Sequence, residues 1–144
     1  MIDFTQFSDE NILHFVNDNF EQFGSDKDKD FPANVLEYLA RGFFAIIRLQ
    51  EGFAIAYKGQ CYSFGTGFQD ADLMFLYVRP ECSRMGVGTK LIEQVKISVT
   101  PDIPIILKCE TRKRKEFFEK RGFSVVEHYM EGDHYLMRWT PMNT

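Results

Sequence analysis

Cysteine and proline are scarce in this 144-residue chain, and an excess of positive charge is absent. Each lack removes a class of protein. The three cysteines, Cys61, Cys82 and Cys109, are odd in number, widely spaced and without a Cys-x-x-Cys pair. Neither a disulfide framework nor a structural zinc site is expected, and the chain reads as resident in a reducing compartment, the cytoplasm. His14, His128 and His134 have no metal-ligand spacing, so no metal is expected. A formal net charge of −4 gives little of the phosphate attraction that feeds nucleic-acid binding, and no nucleic-acid partner is expected. No apolar run approaches the length of a membrane span. The opening MIDFTQFSDE carries acids where a secretory signal has basic residues, so neither membrane insertion nor export is expected. Linkers rich in Ser, Gly or Pro and internal repeats are missing too, which leaves one domain over residues 1–144.

What is present suffices for a packed core: 44% apolar residues, with 26% charged, too balanced for disorder. Fifteen phenylalanines point to a core built on rings or to an aromatic-walled pocket. Charge is uneven along the chain. Glu21, Asp26, Asp28 and Asp30 form an acidic stretch, and Arg112 to Lys115 a basic run. The run lacks interleaved aromatics and reads as a solvated helix face, with Glu116 and Lys120 spaced to pair and one residue free to meet a phosphate.

The elements follow from periodicity and punctuation. Residues 2–6 suit a short strand. Ser8 or Asp9 can cap a helix with Ile12, Leu13, Val16 and Phe20 on one face. Residues 24–30 read as a loop. Pro32 suits the first turn of a second helix, with Val35, Leu36 and Leu39 as its stripe and Gly42 past its end. Strands are expected at 43–49 and 53–57 around a turn at 50–52, then at 73–78, with 59–70 a loop or weak strand. A helix follows Gly88, a buried strand spans 105–109, and a helix runs from Thr111 to Arg121 with Gly122 as its left-handed end. Strands at 123–129 and 135–139 close the chain around a turn containing Asp133. The order implies an α/β or α+β fold with a single sheet.

The segment from Leu76 to Leu91 carries the chemistry. A buried strand ends at Pro80, a polar turn follows, and Gly86-Val87-Gly88 leads straight into an amphipathic helix. A helix start offers N–H groups without partners and a partial positive charge, and glycines let that backbone approach a phosphate. Arg84 and Lys90 flank the turn, so a pyrophosphate is the natural guest. The phosphate motifs GxxxxGK[ST] and GxGxxG are both absent. An isolated Gly-x-Gly can do no more than start a helix; here the strand, the Val-x-Pro and the helix stand at fixed offsets around it.

Val78-Arg79-Pro80, Gly86-Val87-Gly88 and Leu91 resemble the coenzyme A motif V-x-P-x-x-[QR]-x-x-G-x-[GA] of the GNAT superfamily of acyl-CoA-dependent N-acyltransferases. Glu116-Phe117-Phe118-Glu119-Lys120-Arg121-Gly122-Phe123 resembles that family's F-Y-E-K-x-G-F helix end. The resemblance implies a single mixed, mostly antiparallel sheet of about six to seven strands with helices on both faces. It also implies that acetyl-CoA is the acyl donor, and that an amine attacks its thioester directly in a ternary complex. Two positions depart from the pattern: Ser83 stands where the family has Gln or Arg, with Arg84 one residue later, and Phe118 stands where many relatives have a catalytic tyrosine.

Carried onto this sequence, the resemblance assigns the donor to Leu76, Val78, Arg84, Met85, Gly86, Val87, Gly88, Thr89 and Thr111. The gap would open between the strands ending at Val78 and Cys109. Asp72 is the first candidate base, since it lies six residues before Val78 where many relatives carry a glutamate; strand alternation would put it on the side of Met74, Leu76 and Val78. It could equally be a polar residue that opens a strand. Glu110 is the second candidate, or else a solvated acid at a helix start. Tyr77, Cys109, Tyr129, Tyr135 and His134 are all open as the acid. Phe43, Phe44, Tyr57, Tyr62 and Phe64 would line an acceptor pocket or fill core, and the acidic stretch would border a cationic acceptor or form a soluble loop. The family also admits a homodimer through an edge strand near the C-terminus. A non-catalytic acyl-CoA-binding sensor or scaffold is the alternative, motivated by Phe118 and Ser83.

Overall fold

The computed structural model describes residues 2–19, 36, 37, 39–62, 69–99, 103–129 and 133–141, with 59–62 and 69 described by their backbone alone. The N-terminal segment, expected as a short strand and a capped helix, settles first. Phe4–Gln6 form a 3-10 turn rather than a strand, because Asp3 turns back on the chain and accepts from the Thr5 amide at 2.9 Å. The turn drops Phe4 into the core, fully buried. Helix α1 then runs Asp9–Asp18, capped by Ser8, whose hydroxyl accepts from Asn11 N at 3.1 Å; such a cap stabilises by about 1 kcal/mol. Ile12, Leu13 and Val16 are buried on its inner face as expected, and Phe20 lies outside the described residues. Arg48 ties this region to the sheet: its Nε donates to Phe7 O at 3.1 Å and its guanidinium pairs with Asp9.

Six strands follow among the described residues: β1 Phe44–Leu49, β2 Gly52–Tyr62, β3 Gln69–Val78, β4 Ile105–Glu110, β5 Ser124–Tyr129 and β6 His134–Trp139. Their order in the sheet is β1-β2-β3-β4-β6-β5. All neighbours are antiparallel except β3 and β4. The mixed, mostly antiparallel sheet is therefore as expected. Both β2 and β3 reach into the stretch read as a loop or weak strand, and 63–68 lie outside the described residues.

Helix α2 spans Val87–Ser98 and helix α3 spans Arg112–Glu119. Both pack on one face, where Leu91, Ile92, Val95 and Phe118 meet Ala54, Ala56, Leu73, Ile105 and Leu107. On the other face Phe4, Ile12, Leu13 and Val16 meet Phe44, Phe53, Ile55 and Phe75, with Leu36 and Leu39 packed alongside. Helices thus cover both faces. Leu91 and Ile92 are essentially dry, and each such side chain contributes roughly 1.5–3 kcal/mol of burial. Leu36, Glu37, Leu39 and Ala40 are helical, and the Gly42 amide closes that turn on Leu39 O at 3.0 Å; Pro32 and Val35 lie outside the described residues. The expected Glu116–Lys120 pair is replaced by Lys115 with Glu119 at 3.6 Å. No helix among the described residues is long and apolar enough to cross a membrane.

Candidate functional site

The parallel seam between β3 and β4 is short. Ala71 pairs with Ile105 and Asp72 with Ile106, and no pair follows. From Leu73 to Val78 on one side and Leu107 to Glu110 on the other, the strands run on unjoined, a wedge in mid-sheet with Asp72 at its vertex. β2 stays paired with β3 up to Val78, and β6 with β4 up to Glu110, so each wall of the wedge is backed by its own antiparallel partner.

At the mouth of the wedge the chain leaves β3 through Pro80–Cys82, a 3-10 turn, and enters α2. Arg79 fixes this exit. It is buried, and its Nη1 donates to Ile2 O at 2.7 Å. Gly86 caps α2 at φ +77, a conformation that costs a side-chain-bearing residue energy. Lys90 N is the first helical amide to find a carbonyl, at Gly86 O. The amides of Gly86, Val87, Gly88 and Thr89 have no acceptor among the described residues. Arg84 and Lys90 are exposed beside them. A diphosphate fits this donor set: four free N–H groups, the positive end of a helix, and two cations.

The two glycines owe their places to more than a ligand. A Cβ on Gly86 would meet nothing, so its demand is the positive φ. A Cβ on Gly88 would stand 3.0 Å from Phe117 Cζ, so this glycine admits α3.

Asp72 faces the other way from the sequence expectation. In β3 the register jumps between Leu73, opposite Ala56, and Phe75, opposite Ile55, leaving Met74 as an extra residue. This β-bulge reverses the alternation. Leu76 and Val78 pack with the α2 side, whereas Phe75 and Tyr77 pack with the α1 side. Asp72 pairs across to Tyr57, which belongs to the α1 side. The carboxyl is therefore on the face opposite Leu76 and Val78. An unbroken apolar run, Leu73 to Leu76, carries no alternation from which the bulge could be read.

The Asp72 carboxyl makes no hydrogen bond or ion pair among the described residues. Burial lifts its carboxyl from the ordinary 3.8 to about 7. Its neighbour Asp70 differs: fully buried, it is held by Arg138 Nε at 2.9 Å. Around Asp72 the α1 face carries Tyr57 with Phe43 and Phe44, their rings 6.4 and 5.1 Å from it. Phe64 and the side chain of Tyr62 lie outside the described residues, as does the acidic stretch of 21–30.

Glu110 ends β4 on the far wall of the wedge, 3.5 Å from His134 Nε2. Thr111 follows at φ 70 and ψ 146, and its hydroxyl caps α3 by accepting from Arg114 N at 3.3 Å. Cys109 is buried and its Sγ lies 3.6 Å from Met137 Sδ. Burial pushes the thiol up to about 11, so it is uncharged at neutral pH and a poor nucleophile. The tyrosines divide. Tyr77 packs among Phe4, Phe15 and Phe53. Tyr129 donates to Glu127 and Tyr135 to Asp133, each at 2.7 Å, and those carboxylates raise both phenols. Phe118 is buried between Phe117 and Phe123.

The site thus combines a wedge in a mixed sheet with a helix start at its mouth whose first amides have no acceptor among the described residues. The family model for the acetyltransferase (GNAT) domain matches residues 41–125, more than half of the chain, and the chain belongs to this family. No curated protein sequence matches it. Among solved structures it is similar to Naa20 of Chaetomium thermophilum in complex with a bisubstrate analogue: 21% identity, 94% of this chain and 84% of that one covered, TM-score 0.65. Ard1 of Thermoplasma volcanium gives 17% identity, 95% of each chain and a TM-score of 0.60. The ribosomal-protein-S18-alanine N-acetyltransferase of Escherichia coli gives 16%, 75% and 78%, and 0.52. At these identities the likeness is one of fold.

Proposed function

We propose that this protein is an N-acetyltransferase that moves the acetyl group of acetyl-CoA to a primary amine by direct attack in a ternary complex. The observation that carries the reading is the wedge: amides at its mouth and a desolvated carboxyl at its vertex, all without a partner among the described residues. The donor's pyrophosphate would rest on Arg84, Met85, Gly86, Val87, Gly88 and Thr89. Its pantetheine arm would lie beside Leu76 and Val78, with the Thr111 hydroxyl proton on the opposite wall.

The amine approaches Asp72 from the α1 side, past Phe43, Phe44 and Tyr57. A primary amine with a pKa near ~10 arrives mostly protonated at neutral pH. Asp72 takes a proton, directly or through water, and a proton affinity near neutrality suits that task. The nitrogen then attacks the thioester carbonyl, and a β3 amide in the wedge stabilises the oxyanion. The C–N bond forms, the nitrogen gives its second proton to water, the C–S bond breaks, and the coenzyme leaves as thiolate and is protonated by solvent. Most of the rate comes from holding the reactants in line, a contribution of roughly 7–11 kcal/mol. Glu110, beside His134, is the second candidate base.

The low cysteine content supports residence in the cytoplasm. β5 supports a homodimer: it is an edge strand, with Val125 and Val126 exposed. One observation favours a sensor or scaffold instead, the hydrocarbon ring of Phe118 at the family's tyrosine position. Melting temperature with and without acetyl-CoA, run beside thiol release over a panel of amines, separates the readings. An upward shift with release supports the enzyme, a shift with no release from any amine supports the sensor, and no shift at high ligand removes both.

A further inference from the structure

The first turn of α2 is gripped from behind. Arg121, just past the end of α3, donates from Nε and Nη2 to the same atom, Thr89 Oγ1, at 2.9 and 2.6 Å. Its Nη1 donates to Phe117 O at 2.8 Å, and its guanidinium carbon lies 3.9 Å from the centre of the Phe117 ring. That ring is the one against which Gly88 packs. One side chain thus holds Thr89 directly and Gly88 through Phe117.

A threonine hydroxyl has two acceptor sites and one donor. Arg121 fills both acceptor sites, so only the proton of Oγ1 is left to offer, and no described residue accepts it. A hydroxyl bonded to a cation through its oxygen is a strengthened donor. It stands in the same turn as the free amides of Gly86 to Thr89. Everything this turn presents is therefore donor or positive charge, and its complement is an anion.

We propose that Arg121 is a positioning residue for the pyrophosphate of the donor. It fixes Thr89 as a hydrogen-bond donor and brings a positive charge to the start of α2 without standing in the cradle. The proposal rests on the acetyl-CoA reading above.

Calorimetric titration of the full chain with CoA tests it, for the wild type, Arg121→Met, Thr89→Val and the double variant. Pantetheine, which lacks the pyrophosphate, is the control ligand, and thermal unfolding reports on the fold. Each single variant is expected to weaken CoA about tenfold or more. The double variant is expected to lose no more than the worse single one, because Arg121 acts through Thr89. Pantetheine affinity stays the same in all four. Should Arg121→Met not fold, Arg121→Lys carries the test; it keeps the charge, loses the fork and is expected to weaken CoA less. Unchanged CoA affinity in the Arg121 variants, fully additive losses, or equal losses for CoA and pantetheine would overturn the proposal while leaving the donor reading intact. A wild type that binds no CoA overturns the donor reading and the proposal together.

Discussion

The amide of Thr111 donates to the carbonyl of Asp133 at 3.2 Å, and these are the two non-glycine residues with positive φ among the described residues. The corner between β4 and α3 is thus held by Asp133, the residue that leads into β6. Asp133 is kept in place by Tyr135 and then His128, whose bonds to its carboxylate also hold that carboxyl below its ordinary value. Thr111 has a conformation that a β-branched residue adopts at a cost of roughly 1–3 kcal/mol. Its hydroxyl offsets part of this by capping α3.

Thr111→Gly and Thr111→Ala therefore separate strain from capping. The glycine variant loses the cap and the strain, the alanine variant only the cap. Urea denaturation is expected to find the glycine variant more stable than the alanine variant by about 1–3 kcal/mol. Equal stabilities would mean that the corner carries no strain.

Asp72 predicts a pH dependence of both stability and rate. Its folded value of about 7 lies above the ordinary 3.8, so the folded state holds the proton more tightly than the unfolded one. The resulting penalty is absent below pH ~4, grows toward pH ~7 and is complete above it. Asp72→Asn is expected to be more stable than the wild type above pH ~7, by up to about 4 kcal/mol before allowance for partial exposure, and no more stable below pH ~4. If Asp72 is the base, kcat/KM rises through pH ~7 in the wild type and the variant loses that limb. A wild-type profile flat across that range would move the role to Glu110.

Cys109 is predicted to be a bystander. A thiol held near 11 by burial should resist iodoacetamide at pH 7.5 in the folded protein and react only on unfolding. Cys109→Ala should keep turnover within about twofold and lose roughly 1 kcal/mol from the small cavity beside Met137. Loss of turnover without loss of fold would make it a participant.

Gly88→Ala should lower stability by about 1–3 kcal/mol, because the new methyl meets the Phe117 ring at 3.0 Å. Combining it with Phe117→Leu should restore part of that loss, as measured by a double-mutant cycle. Additive losses would mean that the clash is relieved elsewhere.

Local chemistry made much of the fold legible. The Leu91, Ile92 and Val95 stripe, the Ser8 cap and the turn before Gly52 each write their element within a few residues. The strand, turn and helix that resemble a coenzyme A motif were legible for the same reason, since they are consecutive. What was hidden depends on partners far along the chain. The bulge at Met74 exists only relative to β2, and it turned Asp72 to the face opposite that expected from alternation. The grip of Arg121 on Thr89 joins residues 32 positions apart. Phe4 looked like a strand residue because a 3-10 turn of three residues has too short a period to show.

The wedge between β3 and β4 has a consequence for what can enter it. Sheet edges normally lie at the outside of a molecule, where any polypeptide can lie down along them. Here an edge lies in the interior, between two strands that close to ordinary sheet spacing, about 4.8 Å, at Asp72 and Ile106. A further strand would need that spacing on both sides at once, and near the vertex there is room for neither. The opening therefore narrows from its mouth to Asp72 and Ile106, and a polypeptide cannot pair with both walls along their whole length.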